Sequence, residues 1–326
     1  MSVTLWDTNG SAVVQALIDE RRSAGALASG LALSLVVVVD EARVREAEQA
    51  AMVAAAAHPC RLLIVIRHKV DADIRLDAEV QVGGRLGPTE AVIMRMYGRL
   101  ALHAESVVLP LLAPDAPVVT WWHGAPPDQI ATDALGVLAN RRITDCAQAA
   151  DPLAALGQRA ADFLPGDTDL AWTRCTPWRA LLAAGLDGAD RPATGAVVEA
   201  DEANPSAALI AGWLHARLGV PVHSDHHNET PGIARVQVEF GGDAGTTVSI
   251  ERPAGKATAK VRGYDPWQLA LARRDIGDLL AEELRRMDPD VAYAESLAAA
   301  TGVTVTDEPG QRVLVWRDPA QAAGSR

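Results

Sequence analysis

The chain has 326 residues, of which 49% are hydrophobic and 22% are charged, and its formal net charge is −12. This length suits two domains, and the composition supports sizeable hydrophobic cores and excludes a largely disordered chain. The negative charge argues against nonspecific nucleic-acid binding, because an acidic surface repels phosphates.

No segment predicts a membrane anchor or an export signal. The longest apolar run spans 31–39 and contains one serine, whereas a helix needs about 20 apolar residues to cross a bilayer. The N-terminus has no basic start followed by an apolar stretch and a small-residue cleavage site. We therefore predict a cytoplasmic chain without a membrane partner.

The first part of the chain alternates between helical and strand patterns. Val13 and Leu17 share one face of a predicted helix over 9–24. Continuous apolar runs predict strands buried on both faces, and period-two alternation predicts a strand with one wet face. The elements that follow are a strand at 31–39, a helix at 41–57, strands at 62–66, 73–82 and 91–97, a helix at 101–109 and a strand at 117–122. This alternation predicts a mixed α/β sheet with packed helices.

Beyond Arg141 the pattern becomes helical, and a second α/β region follows. Asn204 before Pro205 is a strong helix start, because asparagine caps a helix and proline suits its first turn. Gly219 ends this helix. The predicted elements are helices at 151–161, 204–218, 273–287 and 291–300, a strand at 197–199 and an antiparallel meander at 235–240, 246–251 and 257–262.

These patterns together predict an α/β protein of two domains joined by a helical segment. The N-terminal α/β domain covers 1–160, and the C-terminal α/β domain covers 161–318 and includes the helical junction and the meander. Residues 319–326 form a predicted flexible tail, because chain ends without buried contacts fray.

The motifs of common enzyme and cofactor sites are missing. The glycine-rich runs at 83–87 and 241–245 do not stand between a strand and a helix, as a dinucleotide-binding turn must. Gly255-Lys256 lacks the first glycine of a phosphate-binding loop, because Ile250 stands there. Neither a GxSxG nucleophile turn nor an HExxH zinc motif is present. We predict neither a catalytic centre nor a cofactor.

The cysteines and histidines offer two weaker hypotheses. Three dispersed cysteines form no CxxC pair and are expected to be buried free thiols, with redox sensing by Cys60, Cys146 or Cys175 as the alternative. A cluster of imidazoles and one carboxylate could bind zinc or nickel, although a solvated polar loop is the favoured interpretation. Its members are His223, Asp225, His226 and His227.

Two tryptophans at the end of a predicted strand are candidates for partner recognition. Trp121 and Trp122 are adjacent, so strand alternation predicts that one ring is buried and the other is exposed. An exposed tryptophan is a good interface anchor.

The run 163–184 is the most distinctive segment of the chain. Asp167 or Thr168 can cap one helix, and Thr176 with Pro177 can begin the next. Two interpretations remain open: the polar residues cap and pack helices, or they recognise an anionic ligand or a partner's carboxylate. The residues that would carry the recognition are Trp172, Arg174, Trp178 and Arg179.

The same run, at 165–174 and 176–179, resembles the glucose-6-phosphate dehydrogenase assembly protein family, known as OpcA. The resemblance extends in order over roughly residues 10–300. Further matching motifs are His58-Pro59-Cys60-Arg61, the segment 114–119 that leads into Trp121-Trp122, and the segments 141–145, 204–206 and 273–286.

This resemblance implies a non-catalytic role. Family members are assembly factors or allosteric effectors that bind glucose-6-phosphate dehydrogenase and promote its oligomerisation or activation in the oxidative pentose phosphate pathway. The chain lacks the Arg-Ile-Asp-His-Tyr-like catalytic segment of that dehydrogenase, which fits a partner of the enzyme. The alternative is a protein or enzyme that binds a sugar phosphate or nucleotide through Arg174 and Arg179. The chain's own oligomeric state stays open.

Overall fold

The computed structural model confirms the α/β fold class, because helices pack on mixed sheets. The described chain forms two compact units. The first contains 2–144 and Ile276–Pro289, and the second contains Asp145–Asp275 and 290–305. The structure describes residues 2–25, 30–83, 90–187, 191–226, 231–241, 247–252, 256–261 and 267–305, with the backbone alone at 256–261 and 267–270.

Helices and strands alternate along most of the described chain. Before residue 145 the elements are β1 (Ser2–Leu5), α1 (Gly10–Ser23), β2 (Leu33–Val39), α2 (Val44–Ala57), β3 (Cys60–Arg67), β4 (Arg75–Val82), β5 (Glu90–Tyr97), α3 (Glu105–Val108), β6 (Val118–His123), α4 (Ala134–Val137) and β7 (Arg141–Thr144). After it they are α5 (Pro152–Ala161), β8 (Asp167–Asp169), α6 (Leu170–Arg174), α7 (Thr176–Leu186), β9 (Ala193–Ala200), α8 (Pro205–Leu218), β10 (Val222–His226), β11 (Ile233–Phe240), β12 (Thr247–Glu251), β13 (Lys256–Val261), β14 (Trp267–Ala270), α9 (Ile276–Glu283) and α10 (Val291–Thr301).

A largely parallel sheet forms the first unit. The strands of the sheet that belong to this unit are ordered β1-β4-β5-β3-β2-β6-β7; β4 is antiparallel to β1 and β5, and the other neighbours are parallel. The aliphatic residues of β2 and β3 are buried along almost the whole strand, as expected where both faces of a sheet are covered. The chain runs from β2 to β3 on one side and later reaches β6 on the other, which is the order of a doubly wound sheet.

The second unit is built on a mixed sheet. Its described strands are ordered β10-β9-β11-β12-β13-β14. β9 and β10 are parallel and connected by α8, whereas β9 and β11 to β14 pair antiparallel in turn, which confirms the predicted meander. Val236, Val238 and Ile250 extend from this sheet into a core that also contains side chains of α7, α8 and α10.

Helix α8 shows how local sequence sets an element. The Asn204 side chain accepts a hydrogen bond from the backbone N–H of Ala207 at 3.0 Å, as a helix cap does. Gly219 follows the helix with φ of +67°, a left-handed conformation that glycine adopts without steric cost. Both ends of this helix agree with the prediction.

The division between the units lies at other positions than the predicted one. The chain passes to the second unit at Asp145, and Ile276–Pro289 returns to the first. The returning helix, α9, packs on α2, where a Cβ at Gly277 would lie 2.7 Å from the Cβ of Val53. The helix predicted at 273–287 is limited to this packed part.

Three other predicted elements are corrected. The helix at 101–109 is reduced to α3, and Pro110, which has no backbone N–H, lies just beyond it. Strand β7 stands where a helical texture was predicted, and β10 stands where a polar loop was predicted. Both strands exist because their backbones pair with β6 and β9, which local pattern does not reveal.

Two predictions concern the ends of the chain and its relation to membranes. The predicted tail at 319–326 lies outside the described residues. Within the described ranges, no helix combines the length and the apolar composition that a bilayer crossing requires.

Candidate functional site

The distinctive run 163–184 forms β8, α6 and α7 of the second unit. The carboxylate of Asp169 accepts hydrogen bonds from the backbone N–H groups of Ala171 at 2.8 Å and Cys146 at 3.0 Å, so Asp169 caps α6. The predicted caps, Asp167 and Thr168, instead lie in β8. The cap falls later because β8 continues to Asp169, where the backbone is still extended.

Arg174, at the end of α6, is fully engaged within the second unit. Its guanidinium donates two hydrogen bonds to Asp145, from Nη1 to Oδ1 at 2.6 Å and from Nη2 to Oδ2 at 2.8 Å. Burial lowers the pKa of Arg174, but the hydrogen bonds and charge of Asp145 outweigh this and raise the pKa above its ordinary value. The Asp145 side chain is only 1% exposed, so this bidentate pair holds a buried carboxylate in place.

Arg179, on α7, lies over the ring of Trp172. Its guanidinium carbon is 3.6 Å from the centre of the indole ring, and Nη2 donates to Thr176 Oγ1 at 3.1 Å. The buried indole Nε1 donates to Asp290 Oδ2 at 2.8 Å, and Asp290 also caps α10. Trp172 therefore packs between an arginine of α7 and the start of α10.

Trp178 is associated with a second arginine group that the sequence did not single out. Arg252 lies 5.9 Å from the Trp178 ring centre, and its Nη2 donates to the carbonyl oxygen of Pro231 at 2.9 Å. Arg273 Nη2 donates to the same oxygen at 2.6 Å, and Arg274 donates to the carbonyl of Thr173. We call these residues the arginine–tryptophan cluster: Trp172, Arg174, Trp178, Arg179, Arg252, Arg273 and Arg274.

Arg252 and Arg273 differ electrostatically from Arg174. Burial lowers the pKa of Arg252, the positive charge of Arg273 lowers it further, and Asp201 partly offsets both. In the described ranges neither guanidinium has a carboxylate within ion-pairing distance. Two positive charges therefore meet on one neutral carbonyl.

Trp121 and Trp122 do not provide the predicted interface anchor. They are 0% and 1% exposed, respectively. Both lie in β6, which runs between β2 and β7, and Trp121 is in register with Val37 and Ile143. The prediction of one exposed ring is wrong because both faces of this parallel strand are covered.

The carboxyl end of β6 carries a buried histidine. The side chain of His123 is fully buried, and its Nε2 lies 3.2 Å from Glu46 Oε2. Ligands of doubly wound sheets bind at this edge, next to the strand where the order reverses. Here Asp40 and Glu41 follow β2, in the place where a glycine-rich phosphate-binding turn would stand.

All three cysteines are buried free thiols. Burial raises the pKa of Cys60 and of Cys175 to about 12. Burial and the Asp169 carboxylate raise the pKa of Cys146 as well. Because the thiolate is the reactive species, these environments disfavour nucleophilic or redox chemistry at neutral pH.

The suggested metal cluster is spread over two faces of a strand. His223 and Asp225 lie on one face of β10 and His226 on the other, because neighbouring side chains alternate along a strand. His227 lies outside the described residues. Over the described part of the chain, no three His, Cys, Asp or Glu side chains are arranged to hold a metal ion.

Sequence reasoning found four of the seven members of the arginine–tryptophan cluster. The two tryptophans, Arg174 and Arg179 belong to one run, whereas Arg252 follows β12 and Arg273 precedes α9. The adjacent pair Arg273-Arg274 was the available signal. Nothing local connects Arg252 with Pro231, because only the pairing of β11 with β12 brings them together.

Two family models match the chain. The model described as the N-terminal domain of the glucose-6-phosphate dehydrogenase subunit matches residues 51–161, and the one described as its C-terminal domain matches residues 165–297. Both models carry the OpcA name. A search of curated proteins finds no match.

Solved structures provide distant similarities. An oxidoreductase from Pseudomonas syringae is 10% identical, with a TM-score of 0.37 over 83% of this chain and 90% of its own. An NAD binding oxidoreductase from Klebsiella pneumoniae is 10% identical, with a TM-score of 0.33 over 86% of this chain and 92% of its own. Similarities at this level carry no functional argument.

Proposed function

Because the chain belongs to the OpcA family of glucose-6-phosphate dehydrogenase assembly proteins, we propose that it binds this dehydrogenase as a non-catalytic effector. In this role it promotes oligomerisation or activation of the enzyme in the oxidative pentose phosphate pathway. The observation that carries the proposal is the pair of family matches, which together span most of residues 51–297. The location is then the cytoplasm, where this pathway operates.

An effector changes an equilibrium only through differential affinity. If the chain binds one oligomeric or conformational state of the dehydrogenase more tightly, that state becomes more populated. Ordinary couplings are about 1–3 kcal/mol, which corresponds to roughly 5- to 150-fold. The chain therefore needs a well-fitting surface for the enzyme and no reacting groups of its own.

We propose that the edge of the first-unit sheet contributes to that surface. β1 is the last strand at this edge among the described strands. Trp6 directly follows β1 and is 73% exposed. An edge strand offers unpaired backbone groups, and exposed tryptophans are frequent binding hot spots. The segment is held firmly, because Thr8 N donates to Leu76 O at 2.7 Å.

A groove lies beside this edge. It has a volume of about 720 Å³, and one of the residues that line it is Asp7, which directly follows Trp6. Exposed Ile74 also lines it, together with residues of α1 and of the segment around Ser106 and Pro110. Apolar side chains around a groove of this size are suited to a side chain or short segment of a protein partner.

The proposal is tested by mixing the purified chain with glucose-6-phosphate dehydrogenase. Size-exclusion chromatography with light scattering should show a larger complex at micromolar concentrations, and dehydrogenase activity should rise. Unchanged mass together with unchanged activity would reject the proposed function.

The surface is tested with Trp6→Ala. Because hot-spot tryptophans contribute about 2 kcal/mol or more, binding to the dehydrogenase should weaken by at least about tenfold. Leu153→Ala, which truncates an exposed apolar side chain of the second unit, is the matched control and should bind as the wild type does. Equal binding by all three proteins would exclude Trp6 while leaving the family role intact.

A further inference from the structure

Two arginines of the second unit converge on one backbone carbonyl. Arg252 Nη2 and Arg273 Nη2 donate to the Pro231 oxygen at 2.9 and 2.6 Å. Arg252 follows β12, Pro231 precedes β11, and Asp201 N at the end of β9 donates to the Gly232 oxygen at 3.3 Å. The fold thus assembles this arginine pair from segments that are distant in sequence, beside the ends of β9, β11 and β12.

The charge of this pair is not balanced within the described part of the chain. The carbonyl that both guanidiniums share is neutral, and Asp201 acts on Arg252 only through its field. Each guanidinium carries five N–H donors, and the bond to Pro231 uses one of them. The arrangement is unusual for a chain of net charge −12, in which carboxylates outnumber cations.

The residue beside the arginine pair is a glycine, which has no side chain. Gly232 has φ of +85°, and a Cβ at this position would lie 2.8 Å from Arg252 Nη2 and 3.5 Å from Arg273 Nη2. Any other residue would place a methyl or larger group against the guanidiniums. Arg252 is buried and held near Trp178, whereas Arg273 is exposed. One arginine is therefore fixed, and the other is accessible to a ligand.

We propose that Arg252 and Arg273 form a binding site for a phosphate monoester. Paired guanidiniums match the oxygens of an oxyanion, and such charge-assisted bonds are among the strongest in proteins. A phosphate monoester carries about −1.5 to −2 charges at pH 7, which compensates two arginines, whereas a carboxylate compensates one. The site differs from the predicted one at Arg174 and Arg179, where Asp145 and Trp172 already occupy the guanidiniums.

The ligand could be a phosphorylated sugar or a phosphorylated side chain of another protein, because both present the same group. The experiment is isothermal titration of the full chain with inorganic phosphate at constant ionic strength. The variants are Arg273→Gln and Arg252→Gln. The matched control is Arg217→Gln, which removes the same charge from an exposed pair with Glu295 at 2.7 Å.

Phosphate should bind the wild type and Arg217→Gln equally, and Arg273→Gln at least about tenfold more weakly. Arg273 is exposed, so this variant is expected to fold even if the buried Arg252 does not tolerate replacement. Absence of phosphate binding to the wild type, or equal binding to all variants, would overturn the proposal. Acetate binding as tightly as phosphate would also overturn it.

Two further titrations distinguish a phosphorylated sugar from a phosphorylated protein side chain. Tighter binding of glucose 6-phosphate than of inorganic phosphate, lost in Arg273→Gln, identifies a sugar phosphate. The same pattern with a phosphoserine peptide identifies a phosphorylated protein. All titrations use the chain alone, so their failure would not bear on its binding to the dehydrogenase.

Discussion

Each unit contains two arginines that share one acceptor, but the acceptors differ. In the first unit, Arg61 Nη2 and Arg21 Nε lie 2.7 and 2.8 Å from the carboxylate oxygens of Glu90. In the second unit, Arg252 and Arg273 share the carbonyl of Pro231. The first group contains a carboxylate, whereas among the described residues no carboxylate lies within ion-pairing distance of either arginine of the second group.

This difference separates a structural role from the binding role that we propose. Glu90 is the first residue of β5, and Arg61 also donates to the Leu111 carbonyl at 2.9 Å. The buried Arg61 guanidinium and Glu90 carboxylate therefore provide each other with a charge partner and hydrogen bonds. In this group the carboxylate pairs directly with both guanidiniums. For the pair on Pro231, we propose that a bound ligand supplies the negative charge.

The largest effect on stability is expected when Glu90 loses its charge, because its two arginines then share a neutral acceptor, as the arginines on Pro231 do. Glu90→Gln leaves two arginines, one of them buried, around a neutral amide, and it should lower the free energy of unfolding by about 3–5 kcal/mol. Urea unfolding measures this loss. Glu295→Gln, in the exposed pair with Arg217, is the control and should cost about 0–1 kcal/mol. Equal losses in the two variants would contradict the structural role of Glu90.

Arg174 of the second unit is paired with a carboxylate, so its ion pair should contribute to stability as the Glu90 group does. Asp145→Asn removes the charge that balances Arg174 and should lower the unfolding free energy by about 2–3 kcal/mol, less than Glu90→Gln because Arg174 is partly exposed. Urea unfolding again provides the value. A neutral result would show that pairing does not distinguish the two arginine groups, and the comparison would fail.

Helix starts could be predicted from the sequence because they depend on neighbours in the chain. Asn9, Asp151 and Asn204 cap α1, α5 and α8, and each accepts from a backbone N–H three residues ahead. The apolar runs that became β2 and β3 are equally local signals. The α/β class follows from these alone.

The site could be predicted only in part, because it depends on contacts between distant residues. Whether Trp121 is exposed depends on what covers the second face of β6, which alternation does not report. Asp145, which engages Arg174, stands 29 residues before it. Arg252 meets Pro231 through strand pairing alone. The sequence therefore singled out Arg174 and Arg179 but not the contacts that each of them makes.

The two units can also be compared by how strongly each shields a buried thiol from solvent. Cys60 belongs to the first unit and Cys175 to the second, and burial raises the pKa of each to about 12. An unfolded thiol ionises near pH 8.5, so above that pH only the unfolded state loses its proton and stability falls as pH rises. Between pH 8 and 10 the loss is about 2 kcal/mol per thiol.

Urea unfolding at both pH values of the wild type, Cys60→Ala and Cys175→Ala measures this loss. Each variant should lose about 2 kcal/mol less than the wild type over this range. Equal values for both thiols would show that Cys60 and Cys175 are shielded from solvent to the same extent. A pH dependence that neither substitution alters would show that the thiols are not shielded as the structure indicates.

Gly232→Ala tests the space beside the arginine pair. The positive φ and the approach of 2.8 Å to Arg252 Nη2 should together cost about 1–2 kcal/mol of stability. Gly219→Ala is a control for the backbone term, because Gly219 has φ of +67° and open space at its Cβ. A larger loss at 232 than at 219, read from urea midpoints, would locate the difference in the guanidinium contact.

The smallest effect on stability is expected for Arg273→Gln, and it tests the comparison of the two arginine groups most directly. In phosphate-free buffer, Arg273→Gln removes one of two like charges and should change the unfolding free energy by less than about 0.5 kcal/mol, in contrast to Glu90→Gln. If phosphate occupies the pair, the wild type gains about 1.4 kcal/mol at a concentration ten times its Kd, and the variant, which binds at least tenfold more weakly, gains about 0.4 kcal/mol or less. A marked loss of stability in phosphate-free buffer would show that the pair is structural, as the Glu90 group is.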